Sequence, residues 1–170
     1  MKSQQIILEK ATGILFSGPM VKAILEGRKS MTRRLNKQWL KVKAGDRLWV
    51  RETWQHHPAR EDFRAVVYRA THISAVPVKK WRPSIFMPRW AARIYLEATA
   101  DARLEKLQEI SVEDAIKEGC EYWNCGHPDC GGKHYGPRGS FRELWDSLNS
   151  KKAPWKDNPV VVVLAFRRKI

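Results

Sequence analysis

Short apolar runs separated by turn residues open the chain. "GILFSG" (13–18) has the length and composition of a buried strand closed by a glycine. "PMVKAILEG" (19–27) predicts a helix, because Pro19 suits a first helical position and Gly27 favours a stop. The basic stretch that follows, residues 29–34, is predicted to run extended.

Strict alternation marks "RLWVRETW" (47–54) as a strand. Leu48 and Val50 share one face, and Glu52 and Trp54 fall in the same register. Further strands are predicted at 65–70 and, deeply buried, at 158–168. The segment 91–107 is ambiguous between helix and strand, and its alternation favours a strand at least to Ala100. A polar loop is predicted at 55–64, and an extended stretch rich in Pro and Trp at 71–89.

Two later segments carry helical signals. In "SVEDAIKEG" (111–119), Ser111 is a good capping residue, acids fill the first turn, and Gly119 favours the end. "SFRELWDSLN" (140–149) is amphipathic. Its predicted inward stripe contains Phe141, Leu144, Trp145 and Leu148.

The order of these elements indicates the fold class. About five strands with helices near the start, in the middle and before the last strand do not alternate as βαβ units. We therefore expect an α+β fold with a few short helices and a sheet curled into a small barrel. The length of 170 residues suits a single domain over 1–170, with 1–12 expected to be flexible and 120–138 an inserted loop.

Charge and aromatic content then point to a class of ligand. The chain has 32 Lys and Arg against 18 acids, a formal net charge of +14, and eight tryptophans. This balance predicts attraction to polyanions, with nucleic acid the leading candidate. In "KKWRPSIFMPRW" (79–90), Arg82, Arg89 and Trp90 are candidates for contact with RNA or a nucleotide. The alternative is surface charge around a core tryptophan.

The chain has no apolar run of about 18 residues, so no membrane span is predicted. Its N-terminal stretch lacks the apolar region of a secretory signal, which favours a cytoplasmic protein. The three cysteines lie between 120 and 130, and a disulfide framework is not expected.

The cysteine-rich segment also suggests a metal. Cys125, His127, Cys130 and His134 supply four zinc-type ligands within ten residues, although the spacing is not that of a standard finger. Any zinc here is expected to be structural, and catalysis is expected to need no cofactor. The alternative is a Gly- and His-rich loop with free thiols.

The basic stretch contains candidate catalytic residues. Neighbouring arginines disfavour the ammonium form of Lys29, which would let it act as a base near neutral pH. A base in reach would make Thr32 a nucleophile. A straight strand would put Lys29 and Arg33 on one face and Thr32 on the other, so a turn after Gly27 or a bulge is needed. The alternative is an exposed phosphate-binding stretch.

Arg51 and Glu52 form a second candidate pair, because charged residues within a Trp- and Val-rich strand rarely occur without partners. We expect a buried pair lining the mouth of the barrel, with Glu52 accepting from a base edge or ordering Lys29. The alternative is a structural ion pair.

Four blocks in the same order resemble the ASCH-domain family: "ILEGRKSMTRRL", "KAGDRLWVRETW", "EDAIKEG" and "NPVVVVLAFRR". The family hallmark, G-x-K-x-x-T-x-R, is matched by Gly27, Lys29, Thr32 and Arg34. "GDRLWVRETW" and "FRELWDSLN" are similar to larger phage- and prophage-encoded members. The resemblance implies a barrel related to the PUA RNA-binding domain.

The resemblance also implies an activity. One branch of the family is a small bacterial amidohydrolase that converts N4-acetylcytidine to cytidine and acetate. The resemblance to this branch implies that Lys29 is the general base, Thr32 the nucleophile and Glu118 the proton donor to the leaving amine. Arg34 would hold negative charge in the site. Glu113 and Glu121 are the alternatives to Glu118.

Two features depart from that branch. This chain is longer, mainly at 55–90 and 120–157, and Ser30 replaces the usual threonine of the hallmark. The alternatives are a non-catalytic RNA-binding module and a ribonuclease, so the expected partner is a modified nucleoside or RNA.

Overall fold

The computed structural model describes residues 11–73, 77–121 and 136–169. Within these ranges the chain is mixed α+β with few helices. The strands are β1 (Thr12–Leu15), β2 (Met31–Arg34), β3 (Arg47–Arg51), β4 (Trp54–His56), β5 (Val66–Tyr68), β6 (Tyr95–Ala98), β7 (Arg103–Lys106) and β8 (Val160–Lys169). The α-helices are α1 (Gly18–Leu25), α2 (Val112–Lys117) and α3 (Pro137–Asn149). None of the described helices has the length and apolar character needed to cross a membrane.

The chain divides into two compact units. The described residues of 1–27, 45–98 and 167–170 form the first unit. Those of 28–44 and 99–166 form the second. The expectation of one domain over 1–170 stays a prediction.

In the first unit, β3 pairs in parallel with β1, from Thr12↔Leu48 to Leu15↔Arg51, and antiparallel with β6. The apolar alternation of β3 continues beyond its end, since Leu48, Val50, Glu52 and Trp54 are all about 1% exposed. The strand itself stops at Arg51, and Trp54 begins β4, which pairs with β5 as an antiparallel ladder.

In the second unit, the centre is the part of β8 up to Phe166. It pairs antiparallel with β2 along one edge and with β7 along the other. Its run of branched side chains, from Val161 to Leu164, is buried throughout. A central strand with neighbours on both sides favours such a continuous β-branched run, which confirms the deeply buried strand predicted at the end of the chain.

The helices of the second unit share one apolar cluster. Its buried members are Leu107, Ile110, Ala115, Cys120, Phe141, Trp145 and Val161. This cluster packs α2 against α3 and fixes the end of α2 that precedes Glu118. The predicted inward stripe of α3 was wrong for Leu148, which is 58% exposed. The helix ends at Asn149, and Trp145 Nε1 donates to the Ala153 carbonyl. The chain that follows the helix therefore packs at Trp145 and leaves Leu148 exposed.

Three larger differences from the predicted element bounds lie in the first unit. The strand predicted from residue 91 begins only at Tyr95. The loop predicted at 55–64 begins later, because β4 extends to His56. The segment predicted as extended at 71–89 contains the 3-10 turn Ser84–Phe86, and a second turn spans Arg89–Ala91. Pro83 and Pro88 are the N-cap residues of these turns, and proline pre-sets the backbone for a tight turn as readily as for extended chain.

The start and the end of α2 follow the sequence signals. Ser111 Oγ accepts from Asp114 N at 3.0 Å, which satisfies one of the free N–H groups of the first turn. At the other end Gly119 has φ +87°, a left-handed conformation that glycine adopts without strain. The two signals together fix the helix and place Glu118 in its last turn.

Replacing Ser111 with alanine is expected to lower the free energy of unfolding by about 1 kcal/mol, because the first turn of α2 loses its cap. Urea unfolding followed by tryptophan fluorescence measures the change. Ser111→Asp is the matched control, since a carboxylate caps the same N–H group. Equal destabilisation by both variants would show that the cap is not the cause.

Candidate functional site

A buried ion pair joins the two chain segments of the second unit, 28–44 and 99–166. Lys29 Nζ lies 2.7 Å from Glu118 Oε2 and 2.8 Å from the Glu118 carbonyl oxygen. The Lys29 side chain is 0% exposed and the Glu118 side chain 4%. The backbone brings them together: Lys29 and Glu118 form an antiparallel bridge, and Ser30 N donates to Lys117 O at 2.8 Å.

Arg33 extends this pair into a charged cluster. Its Nη1 donates to Glu118 Oε1 at 3.2 Å, and its Nη2 donates to Glu105 Oε1 at 2.7 Å and to Asp114 Oδ2 at 3.1 Å. The Arg33 side chain is fully buried. Exposed Arg103 closes the cluster from outside, 3.1 Å from Glu105 and 3.2 Å from Asp114. One guanidinium therefore holds three carboxylates in place.

Burial and pairing act in opposite directions on Lys29. Burial lowers the pKa of Lys29 below its ordinary value, although the charge and hydrogen bond of Glu118 oppose the shift. The charge of Arg34 adds to the lowering. The arginine effect expected from the sequence is therefore present, but desolvation is the larger cause.

Other groups around the cluster are shifted by the same forces. Burial alone would lower the pKa of Arg33, but its hydrogen bonds and ion pairs with Glu105 and Glu118 outweigh burial and raise it. Burial and the nearby Glu118 charge raise the pKa of the Cys120 thiol to about 11, so this cysteine stays a neutral thiol. Burial lowers the pKa of Arg34, again opposed by Glu118.

Thr32 lies in the middle of β2, which pairs with β8 in unbroken register from Met31↔Ala165 to Arg34↔Val162. Lys29 and Arg33 both reach Glu118, and Arg33 Nη1 also lies 3.6 Å from Met31 Sδ. Lys29, Met31 and Arg33 thus share one face, and alternation places Thr32 on the other. Thr32 is buried, and no hydrogen bond joins its side chain to Lys29 or Glu118.

The sequence reasoning required either a turn after Gly27 or a bulge, and the structure has the first of these alternatives. Gly27 adopts φ +76° and provides the expected turn after α1. The bulge is not present between Met31 and Arg34. The structure therefore brings Lys29 and Glu118 together directly, and leaves Thr32 as a buried neighbour on the opposite face of the strand.

The alternatives to Glu118 lie elsewhere. Glu113 is exposed in the first turn of α2. Glu121 is also exposed and lies 3.3 Å from Arg28. Cys125, His127, Cys130 and His134 fall outside the described residues. Within the described ranges no group of three or more His, Cys, Asp or Glu side chains could hold a metal ion.

Glu52 is buried as expected, but its partner is Arg93 rather than Arg51. Arg93 Nε and Nη2 donate to the two Glu52 oxygens at 2.8 and 2.9 Å, a bidentate pair. Arg51 instead donates to the Ile85 carbonyl and lies 5.4 Å from the Trp49 ring. The expected Arg51–Glu52 pair was wrong because adjacent residues of an extended chain point to opposite sides.

The candidates for RNA contact lie in the first unit. The Arg82 guanidinium lies 5.3 Å from the centre of the Trp54 ring, and Trp90 meets the same ring edge-on at 5.7 Å. Arg82 and Trp90 are exposed, and Arg89 is half-buried. Arg82 and Trp90 therefore meet at the Trp54 ring.

The sequence reasoning missed Arg33, Glu105, Asp114 and Arg93. A signal existed for two of them. Asp114 and Glu118 are spaced i,i+4, which puts two carboxylates on one helix face and calls for a cation opposite. In an extended segment Arg33 points to the same side as Lys29, four residues earlier, and Arg33 is that cation. Glu105 and Arg93 carry no comparable local signal.

No protein-family model, no curated protein and no solved structure matches the chain. The resemblance to the ASCH-domain family therefore stays a prediction.

Arg33→Met is expected to lower the free energy of unfolding by about 3–5 kcal/mol, because the cluster loses its fully buried cation and Glu105 keeps only the exposed Arg103 as a partner. Adding Glu105→Gln to that variant should recover part of the loss by removing this charge, whereas Glu118 must stay charged to pair with buried Lys29. Denaturant titration of both variants measures the effect. Arg103→Met, on the exposed side of the cluster, is the control and should change stability by about 1 kcal/mol or less. A similarly small effect of Arg33→Met would contradict the cluster's structural role.

Proposed function

We propose that the chain is an amidohydrolase that removes the acyl group from an N4-acylated cytidine-type nucleoside, with N4-acetylcytidine as the substrate implied by the resemblance. The observation that carries the proposal is the buried contact of Lys29 with Glu118. The resemblance selected these two residues from segments 89 positions apart, and the fold brings their side chains within 2.7 Å.

The pair has the proton chemistry that amide hydrolysis needs. An ammonium with a carboxylate and a neutral amine with a carboxylic acid hold the same number of protons, and differ by one proton moved across the 2.7 Å contact. Burial lowers the pKa of Lys29, which favours release of its proton to give the second, uncharged arrangement. In that form Lys29 is a base and Glu118 is an acid, the two roles required to activate a hydroxyl and to expel an amine.

The proposed reaction has two halves. In the first, Lys29 Nζ takes the proton of the Thr32 hydroxyl as Oγ1 attacks the acyl carbon, and Glu118 gives its proton to the exocyclic nitrogen as the C–N bond breaks. This releases cytidine and leaves an acyl ester on Thr32. In the second, water attacks the ester, Glu118 takes one proton from that water, and Lys29 returns its proton to Thr32 as acetic acid leaves and then ionises to acetate in solution.

The proposed mechanism requires the Thr32 hydroxyl to lie close to Lys29. Thr32 Oγ1 must come within about 2.6–3.2 Å of Lys29 Nζ when substrate is bound. Arg34 has the same strand parity as Thr32 and is half-buried, so its charge is suited to stabilise an oxyanion formed at that hydroxyl. If water attacks directly, Lys29 and Glu118 keep their roles and Thr32 has none.

Incubation with N4-acetylcytidine, followed by chromatography, is expected to yield cytidine and acetate. Lys29→Ala and Glu118→Gln should each lower kcat by about 10²–10⁴, the usual contribution of a general base or acid. Thr32→Ala should abolish the acyl-enzyme detected by mass spectrometry, and Thr32→Ser should retain it. Lys117→Ala, on the exposed side of α2 beside Glu118, is the matched control and should be fully active.

Absence of turnover by the unaltered chain would overturn the proposal. Full activity of Thr32→Ala, with Lys29→Ala and Glu118→Gln inactive, would replace the threonine nucleophile with water.

The rate should also depend on pH through Lys29. The active pair holds one proton between Lys29 and Glu118, so kcat/KM should fall as pH rises above the apparent pKa at which the pair loses that proton. Because burial lowers the pKa of Lys29, this fall should begin below the ordinary lysine value of about 10.4. Arg34→Gln removes a charge that lowers the pKa of Lys29, so it should move this limb of the profile to higher pH. If Arg34→Gln leaves this limb of the pH profile at the same pH, the pKa of Lys29 does not determine the position of the limb.

A further inference from the structure

Three rings of the first unit form an exposed aromatic surface: His56, Phe63 and Trp90. The Phe63 and Trp90 ring centres are 5.1 Å apart, His56 and Phe63 4.9 Å, and His56 and Trp90 6.0 Å with near-parallel planes. Phe63 is 67% exposed and Trp90 42%. Two large rings thus stay open to solvent although they already touch each other.

The aromatic surface is held rigidly from below. Buried Trp54 meets His56 edge-on at 5.2 Å and Trp90 at 5.7 Å. His56 Nδ1 lies 2.9 Å from the Phe63 carbonyl oxygen, which ties the loop that carries Phe63 to β4. The rings are therefore arranged before any ligand arrives, which lowers the ordering entropy that binding must overcome.

The segment that carries these rings is rich in cations. Residues 54–93 carry eight Lys and Arg against two acids. Arg82 lies over the Trp54 ring, and Arg89 precedes Trp90 in the chain. Arg89 Nη2 is buried and has no hydrogen-bond partner among the described residues. A buried donor without an acceptor is costly, so this half-buried side chain gains a hydrogen bond when it turns outward to a phosphate or carbonyl oxygen of a ligand.

We infer that the aromatic surface binds unpaired bases of single-stranded nucleic acid, with Arg82 and Arg89 holding the adjoining phosphates. Bases stack on aromatic faces whatever their identity, and a polyanion complements the local excess of positive charge. A duplex hides its base faces and cannot use the rings. This inference does not rest on the proposed amidohydrolase activity.

The competing explanation is adhesion through charge alone, which a formal net charge of +14 also predicts. Binding through charge alone would give a duplex at least the affinity of a single strand, and that affinity would not depend on the rings. Stacking prefers the single strand and depends on Phe63 and Trp90. The two differ further in salt dependence, since losing a ring removes no phosphate contact, whereas losing an arginine does.

Fluorescence anisotropy with the full chain tests this, using labelled single-stranded RNA, single-stranded DNA and duplex RNA of about 12 nucleotides, within the site sizes of single-strand binding modules. Both single strands should bind at least about tenfold tighter than the duplex. Phe63→Ala should weaken single-strand binding by about 5- to 150-fold. Trp90→Phe should retain most of the affinity. Tighter binding of RNA than DNA would indicate contacts with the 2′-hydroxyl, and equal binding would indicate stacking and phosphate contacts alone.

Salt titration distinguishes the contribution of the rings to binding from the contribution of the charged side chains. Phe63→Ala should leave the slope of log Kd against log salt unchanged, and Arg82→Gln should reduce it by about 0.7. Leu148→Ala, which removes an exposed apolar side chain from the second unit, is the control and should bind as the unaltered chain does. Phe63 is exposed, so thermal melting should confirm that Phe63→Ala stays folded. Equal affinity for duplex and single strand, or full affinity of Phe63→Ala, would overturn the inference.

Discussion

The sharing of Arg33 among three carboxylates is the constraint on which the second unit depends. Glu105 comes from β7, Asp114 and Glu118 from α2 and its end, and Arg33 itself from β2. A buried guanidinium is tolerated only with its charge and hydrogen bonds satisfied, so these elements have to meet in one arrangement. The contact of Lys29 with Glu118 is a consequence, because Arg33 takes the other oxygen of the same carboxylate.

Local signals in the sequence identified most of the elements. The β-branched run of β8, the alternation of β3 and the capped ends of α2 are each determined by neighbours within a few residues, and each was confirmed. Leu148 shows the limit of such reasoning, because a stripe on a helix does not reveal where the returning chain stops covering it. Helical periodicity defines a face, whereas burial depends on a distant partner.

The candidate site was less predictable than the fold. Lys29 and Thr32 were found in a short motif, and Glu118 came from the family resemblance rather than from periodicity. Arg93 was missed as the partner of Glu52 because a bidentate contact across 41 residues leaves no trace in local spacing. Adjacent charges in sequence suggested an Arg51–Glu52 pair, although neighbours in extended chain diverge. Which buried charges pair with one another depends on the topology of the fold and not on local spacing in the sequence.

The shared guanidinium also limits how the sequence of the second unit can change over time. Substitutions of residues in mutual contact do not add, and here the sign of an effect depends on order. Neutralising Glu105 or Asp114 first leaves Arg33 with one partner fewer, whereas the same change after loss of Arg33 removes an unbalanced charge. The cluster therefore has few single-step paths to an apolar replacement and is expected to persist, or to vanish, as a unit.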